Sequence, residues 1–132
     1  MELNSAVSGV TPNLVLRALD ASALRHFALA SNIANASNEA YPALRVNFEE
    51  QLGLLREQLL QRTDETAARR ALAAVQPRIE PEAGAMPGGY RKIQLDAEIA
   101  KMTQNAVYYQ ALLAAQGKNG AILRLAIREG RG

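Results

Sequence analysis

The side chains able to do chemistry are few and scattered. His26 is the only histidine and cysteine is absent, so a His-paired metal site, a thiolate nucleophile and a Ser-His-Asp relay all lack a central member. The acids cluster where helices are expected to begin: Glu49-Glu50, Asp64-Glu65, and Asp96 with Glu98. Carboxylates there answer the positive end of a helix and its unpaired amides. Gly88-Gly89 has neither a preceding strand pattern nor a following Gly-Lys-Ser/Thr, so a phosphate-cradling loop is unsupported. Tyr108-Tyr109 falls in a helical stretch without neighbouring cations and reads as packing rather than base stacking. The expectation is a non-enzyme with no metal, no cofactor and no small-molecule substrate.

Composition points the same way. At 132 residues the chain fits one domain, and its hydrophobic fraction of 48% with only 5% aromatic residues reflects an excess of Ala and Leu that favours helix over sheet. A net charge of +2, with bases interrupted by acids throughout, is not a nucleic-acid footprint. The local excess of Lys118, Arg124, Arg128 and Arg131 suits the negative end of a terminal helix. The N-terminal Met-Glu-Leu-Asn lacks the basic start and apolar core of a Sec-type leader, and no apolar run nears the ~20 residues of a membrane span. The chain is expected to be soluble and without a cleavable signal.

The elements that could position anything lie at the two ends. Thr11-Pro12 predicts a helix start, followed by Leu16, Leu19, Ala23, Phe27, Ala30 and Ala34 at steps of three and four, flanked by Leu24 and Ile33. That helix should fade near Asn35 to Asn38, with Pro42 holding Tyr41 extended. Asn47, with Glu50 three residues on, predicts a capping box opening a short amphipathic helix with Phe48, Leu52, Leu55 and Leu59 on one face. From Thr63 to Val75 large apolar residues are almost absent, so the segment is expected to be weakly helical or mobile. Pro77, Pro81, Gly84, Pro87, Gly88 and Gly89 predict a flexible linker over 76–89.

Asp96 is placed to cap the last helix, whose seam is Ile99, Met102, Ala106, Tyr109 and Leu113, recovering at Leu123 and Ile127. Gly117 and Gly120 interrupt it at a cost of about 2 kcal/mol together. Asn119-Gly120 reads either as a turn or as part of one continuous helix. The continuous helix is preferred, because the remaining piece is too short to stand alone. The resulting fold class is all-α. One domain over 1–132 comprises a helix over 11–37, a short helix over 47–62, a variable and partly disordered loop over 63–92, and a helix over 96–129. The long helices pair as an antiparallel or coiled-coil-like hairpin.

The run Asn32-Ile33-Ala34-Asn35-Ala36, its spacing to Tyr41, and the segments Ile93 to Met102 and Asn105 to Leu112 resemble the bacterial flagellar basal-body rod proteins, of the proximal FlgB type. Leu123 to Arg128 continues the likeness, which covers roughly residues 14–48 and 90–129. Where the family usually has Asp-Thr-Pro-Gly, this chain has Ser37-Asn38-Glu39-Ala40. The resemblance implies a structural subunit of the proximal rod, in the periplasmic part of the flagellar basal body. It would be exported by the flagellar type III apparatus and would polymerise with copies of itself and with other rod proteins. The MS ring and the rod-adaptor protein would meet it at the rod base.

The expected pairing sets Leu16, Leu19 and Phe27 against Ile99, Met102, Tyr109 and Leu113, leaving other faces for neighbours. The candidate assembly interface comprises these residues with Asn32, Ile33, Asn35, Tyr41, Leu123 and Ile127. Asn32 and Asn35 share a helix face, where their amides either bridge to a neighbour's backbone or end the helix. A free-standing helical adaptor explains the seams but not the two signatures. An enzyme built from scattered Asp, Glu, Arg and Tyr has no local motif in its favour.

Overall fold

The computed structural model describes residues 2–61, 64–82 and 93–130, with side chains over 13–61, 64–82 and 93–118. Two long helices, α1 (Glu2–Ala34) and α4 (Leu95–Gly130), pack together. Between them in sequence come β1 (Leu44–Asn47), α2 (Glu49–Gln61), α3 (Glu65–Ala74) and β2 (Arg78–Pro81). The pairing of the two ends is as expected, and Ser22 meeting Asn105 while Asn32 meets Glu98 fixes it as antiparallel. The all-α expectation is corrected by the small antiparallel sheet of β1 and β2.

Several boundaries also move. α1 begins at Glu2 and runs through Thr11-Pro12, so those residues do not start it; Pro12 removes one ladder donor without ending the helix. It closes at Ala34, three residues before the expected end at 37, where Asn35 N–H reaches back to Ser31 O at 3.1 Å and Asn38 Oδ1 accepts Ala40 N–H at 3.1 Å in a local turn. The helix expected over 47–62 spans 49–61. Asn47 does not cap it, because the backbone there is still the last residue of β1. Its Nδ2 turns to Glu80 at 3.5 Å, and Glu50 is taken by Arg45. α4 starts at Leu95, one residue before its expected cap, leaving Asp96 as a first-turn acid. It continues without a break through Gly117 to Gly120.

The middle is more ordered than its sequence suggests. Asp64 caps α3 by accepting Thr66 N–H at 3.0 Å, and Ala68 and Leu72 bury one face against α1 and α2. Part of the expected linker is β2, paired Leu44 to Pro81, Arg45 to Glu80, Val46 to Ile79 and Asn47 to Arg78. The remaining linker residues, 83–92, lie outside the described ones. Gln51 ties these pieces together: its Nε2 donates to Gln76 O at 2.8 Å while its Oε1 accepts Gln76 N–H at 2.9 Å.

The core is made of small residues on α1 (Ala18, Ala21, Ala28), with Val46, Phe48, Leu55, Leu72 and Val75 from the middle elements. Leu52 and Leu59 are half-buried beside it, so the expected apolar face of α2 is the one that packs.

Candidate functional site

α1 carries apolar residues on two faces, and the face that meets α4 is the smaller-featured one. Ser22 and Asn105 exchange two hydrogen bonds: Ser22 Oγ donates to Asn105 Oδ1 at 3.0 Å, and Asn105 Nδ2 donates to Ser22 O at 2.9 Å. Further along, Asn32 Nδ2 donates both to Leu44 O at 2.9 Å and to Glu98 Oε2 at 3.0 Å, while its Oδ1 accepts Leu44 N–H at 2.8 Å. The other Glu98 oxygen accepts Lys101 Nζ at 3.2 Å. All four side chains at these two pins are buried. Each polar group there is matched, which turns an otherwise costly burial into a register device.

The residues read as the pairing seam face the other way. Leu16 is 45% exposed and Phe27 60%, as are Ile99 at 48%, Tyr109 at 37% and Leu113 at 46%. Leu19 and Met102 are half-buried at the boundary between faces. Leu16, Ala23, Phe27, Ala30 and Ala34 therefore form an outward stripe on α1, and Ile99, Ala106 and Leu113 another on α4. The expected internal pairing through these side chains is corrected. The physical reason is that Ala, Ser and Asn let the two helices approach closely enough for side-chain amides to bridge them, which Leu and Phe would prevent.

The remaining expected site residues are dispersed. Asn32 does bridge to backbone, but to Leu44 of its own chain, and Asn35 Nδ2 returns to Ser31 O at 2.8 Å within its own helix end. Ile33 and Tyr41 are half-buried. Leu123 and Ile127 lie outside the residues whose side chains are described.

Ser22, Glu98 and Asn105 were not among the expected site residues. The signal available was their position: Glu98 and Asn105 stand seven apart on α4, hence on one face, in a run otherwise rich in Ala.

A second ionic cluster braces the sheet. Arg45 donates to Glu50 Oε1 from both terminal nitrogens at 3.1 Å and also contacts Glu80 across the strands. Its hydrogen bonds to Glu50, then to Glu80, raise the Arg45 pKa above its ordinary value. Arg25 pairs with Glu49 at 2.6 Å. His26 is exposed, and among the described residues no group of three or more His, Cys, Asp or Glu is placed to hold a metal ion. No helix among them is long and apolar enough to cross a membrane.

Between β1 and α4 runs an open groove of about 460 Å³, lined by Ala28 and Leu29 of α1, Leu44 to Val46 of β1, and Lys101, Gln104 and Tyr108 of α4.

The chain matches no protein-family model and no curated protein.

Proposed function

We propose that this chain is a structural subunit of the proximal rod of the bacterial flagellar basal body, which assembles through the outward faces of α1 and α4. One observation carries the reading: each long helix presents an apolar stripe to solvent after the interior has been filled by other residues. A helix that is apolar on its core face needs no second apolar face to fold. Burying a side chain such as Phe27 against a neighbour is worth about 1.5–3 kcal/mol. Repeated contacts of this kind, joined head to tail without closing, make a tube.

The resemblance of Asn32 to Ala36 and of Ile93 to Leu112 to flagellar rod proteins supplies the particular tube. It also brings the proposed partners: further copies of the chain, other rod proteins, the MS ring and rod-adaptor protein, and the type III export apparatus.

The test uses the absence of cysteine in the chain. A tagged Ala30→Cys variant, which keeps Phe27 and places the thiol on the same exposed stripe, expressed in its own host in place of the native chain, should purify with hook–basal bodies. It should also be captured there by bifunctional maleimide reagents in adducts with neighbouring subunits. A tagged chain that is made in normal amount, yet is absent from basal bodies of motile cells, ends this reading.

A further inference from the structure

We propose that the outer edge of β1 at Val46 receives an extended segment of another protein chain, one carrying a basic residue, laid in the groove between β1 and α4. The inference does not depend on the rod reading. Glu82 N–H donates to Ala43 O at 2.7 Å, which sets the phase of the ladder. In an antiparallel pair, bonded and non-bonded positions alternate, so Arg45 and Asn47 exchange bonds with β2. Leu44 and Val46 therefore aim their N–H and C=O away from it. Pro81 stands opposite Leu44, a position where its missing N–H costs nothing.

Leu44 shows what this outer edge accepts. Its N–H and C=O are both satisfied by the Asn32 amide, which acts as one residue's worth of added strand. Val46, two residues on, repeats the same orientation, and no described residue bonds its main chain. Val46 is 7% exposed and lines the groove. A main-chain donor and acceptor that find no partner among the described residues are completed, on a strand edge, by a second extended backbone. The groove has the volume of a typical ligand pocket.

Charge narrows the occupant. Of the ionic groups lining the groove, Arg25 is paired with Glu49, Lys101 with Glu98, and Arg45 with Glu50 and Glu80. The Glu82 carboxylate also lines it and has no partner among the described residues. A Lys or Arg on the incoming segment supplies that partner.

The test is an NMR titration of the full-length ¹⁵N-labelled chain with the probe peptide acetyl-Val-Lys-Val-Thr-Val-amide. Saturable shifts should centre on Val46, and its amide exchange should slow at least about tenfold at saturation. Replacing the peptide Lys by Glu, or using a Glu82→Gln protein, should weaken binding by about fivefold. A peptide N-methylated at its central residue should not slow Val46 exchange. An unshifted Val46 at millimolar peptide, or equal protection by the N-methylated peptide, overturns the proposal. Protection of Val46 that rises with protein concentration alone, with no added effect of peptide, assigns the edge to a second copy and overturns the partner proposed.

Discussion

Ser22 and Asn105 hold α1 to α4 by a reciprocal pair of hydrogen bonds, each giving one donor and taking one acceptor, with Ser22 wholly buried and Asn105 nearly so. The pair lies 83 residues apart in sequence, so it closes the whole fold. Removing Asn105 leaves the Ser22 hydroxyl without this acceptor inside the interface. Asn105→Ala should cost about 1–3 kcal/mol, read as a lower urea midpoint with unchanged slope. In a double-mutant cycle with Ser22→Ala, the coupling should be at least about 0.5 kcal/mol. Strict additivity of the two losses contradicts the pairing.

Asn32 places its donor between two acceptors, Leu44 O and the Glu98 carboxylate. Asn32→Asp keeps the shape and replaces that donor with a second negative oxygen, so it should destabilise more than Asn32→Ala. A buried unpaired charge costs about 3–5 kcal/mol, against about 1–3 kcal/mol for the lost hydrogen bonds. Adding Glu98→Gln to Asn32→Asp should recover part of the loss. Denaturation followed by circular dichroism orders the variants, and Asn32→Ala as the less stable single variant would contradict the geometry.

The outward stripes should separate folding from association. Phe27→Ala and Leu113→Asp change exposed positions, and each should alter monomer stability by no more than about 0.5 kcal/mol. Both should reduce recovery of the chain in basal bodies or in assemblies formed in vitro. Loss of monomer stability by several kcal/mol would place these side chains in the core instead.

Gly53 in α2 and Gly117 in α4 are helix-interior glycines whose added Cβ would meet nothing within 4 Å. Gly53→Ala and Gly117→Ala should each stabilise by about 0.5–1 kcal/mol, by lowering the entropy of the unfolded chain. Thermal unfolding checks this. A destabilised Gly117→Ala variant would show that α4 bends there.

The two terminal helices, their pairing and the packed face of α2 were legible because 3.6-residue periodicity is a strong signal over long stretches. The choice of face was not. On α1 the regular run of Leu16, Ala23 and Phe27 outweighed the quieter one of Ala18, Ala21 and Ser22, yet the second is interior. Hydrophobicity ranks faces by size, whereas close helix contact selects for smallness. α3 was legible only as a weak helix opening at Asp64-Glu65, because the Asp64 cap and the buried Ala68 and Leu72 hold it rather than a run of large apolar side chains. β2 escaped because Pro81 discourages a strand reading, although its nitrogen faces away from β1.

The two polar pins on α1, at Ser22 and Asn32, are separated by about 15 Å of helix. Sliding α1 along α4 by one residue would break both at once, and no intermediate offset restores them. The hairpin therefore has one stable alignment and a stiff response to axial shear. A pull along either long helix should load both pins together rather than one after the other.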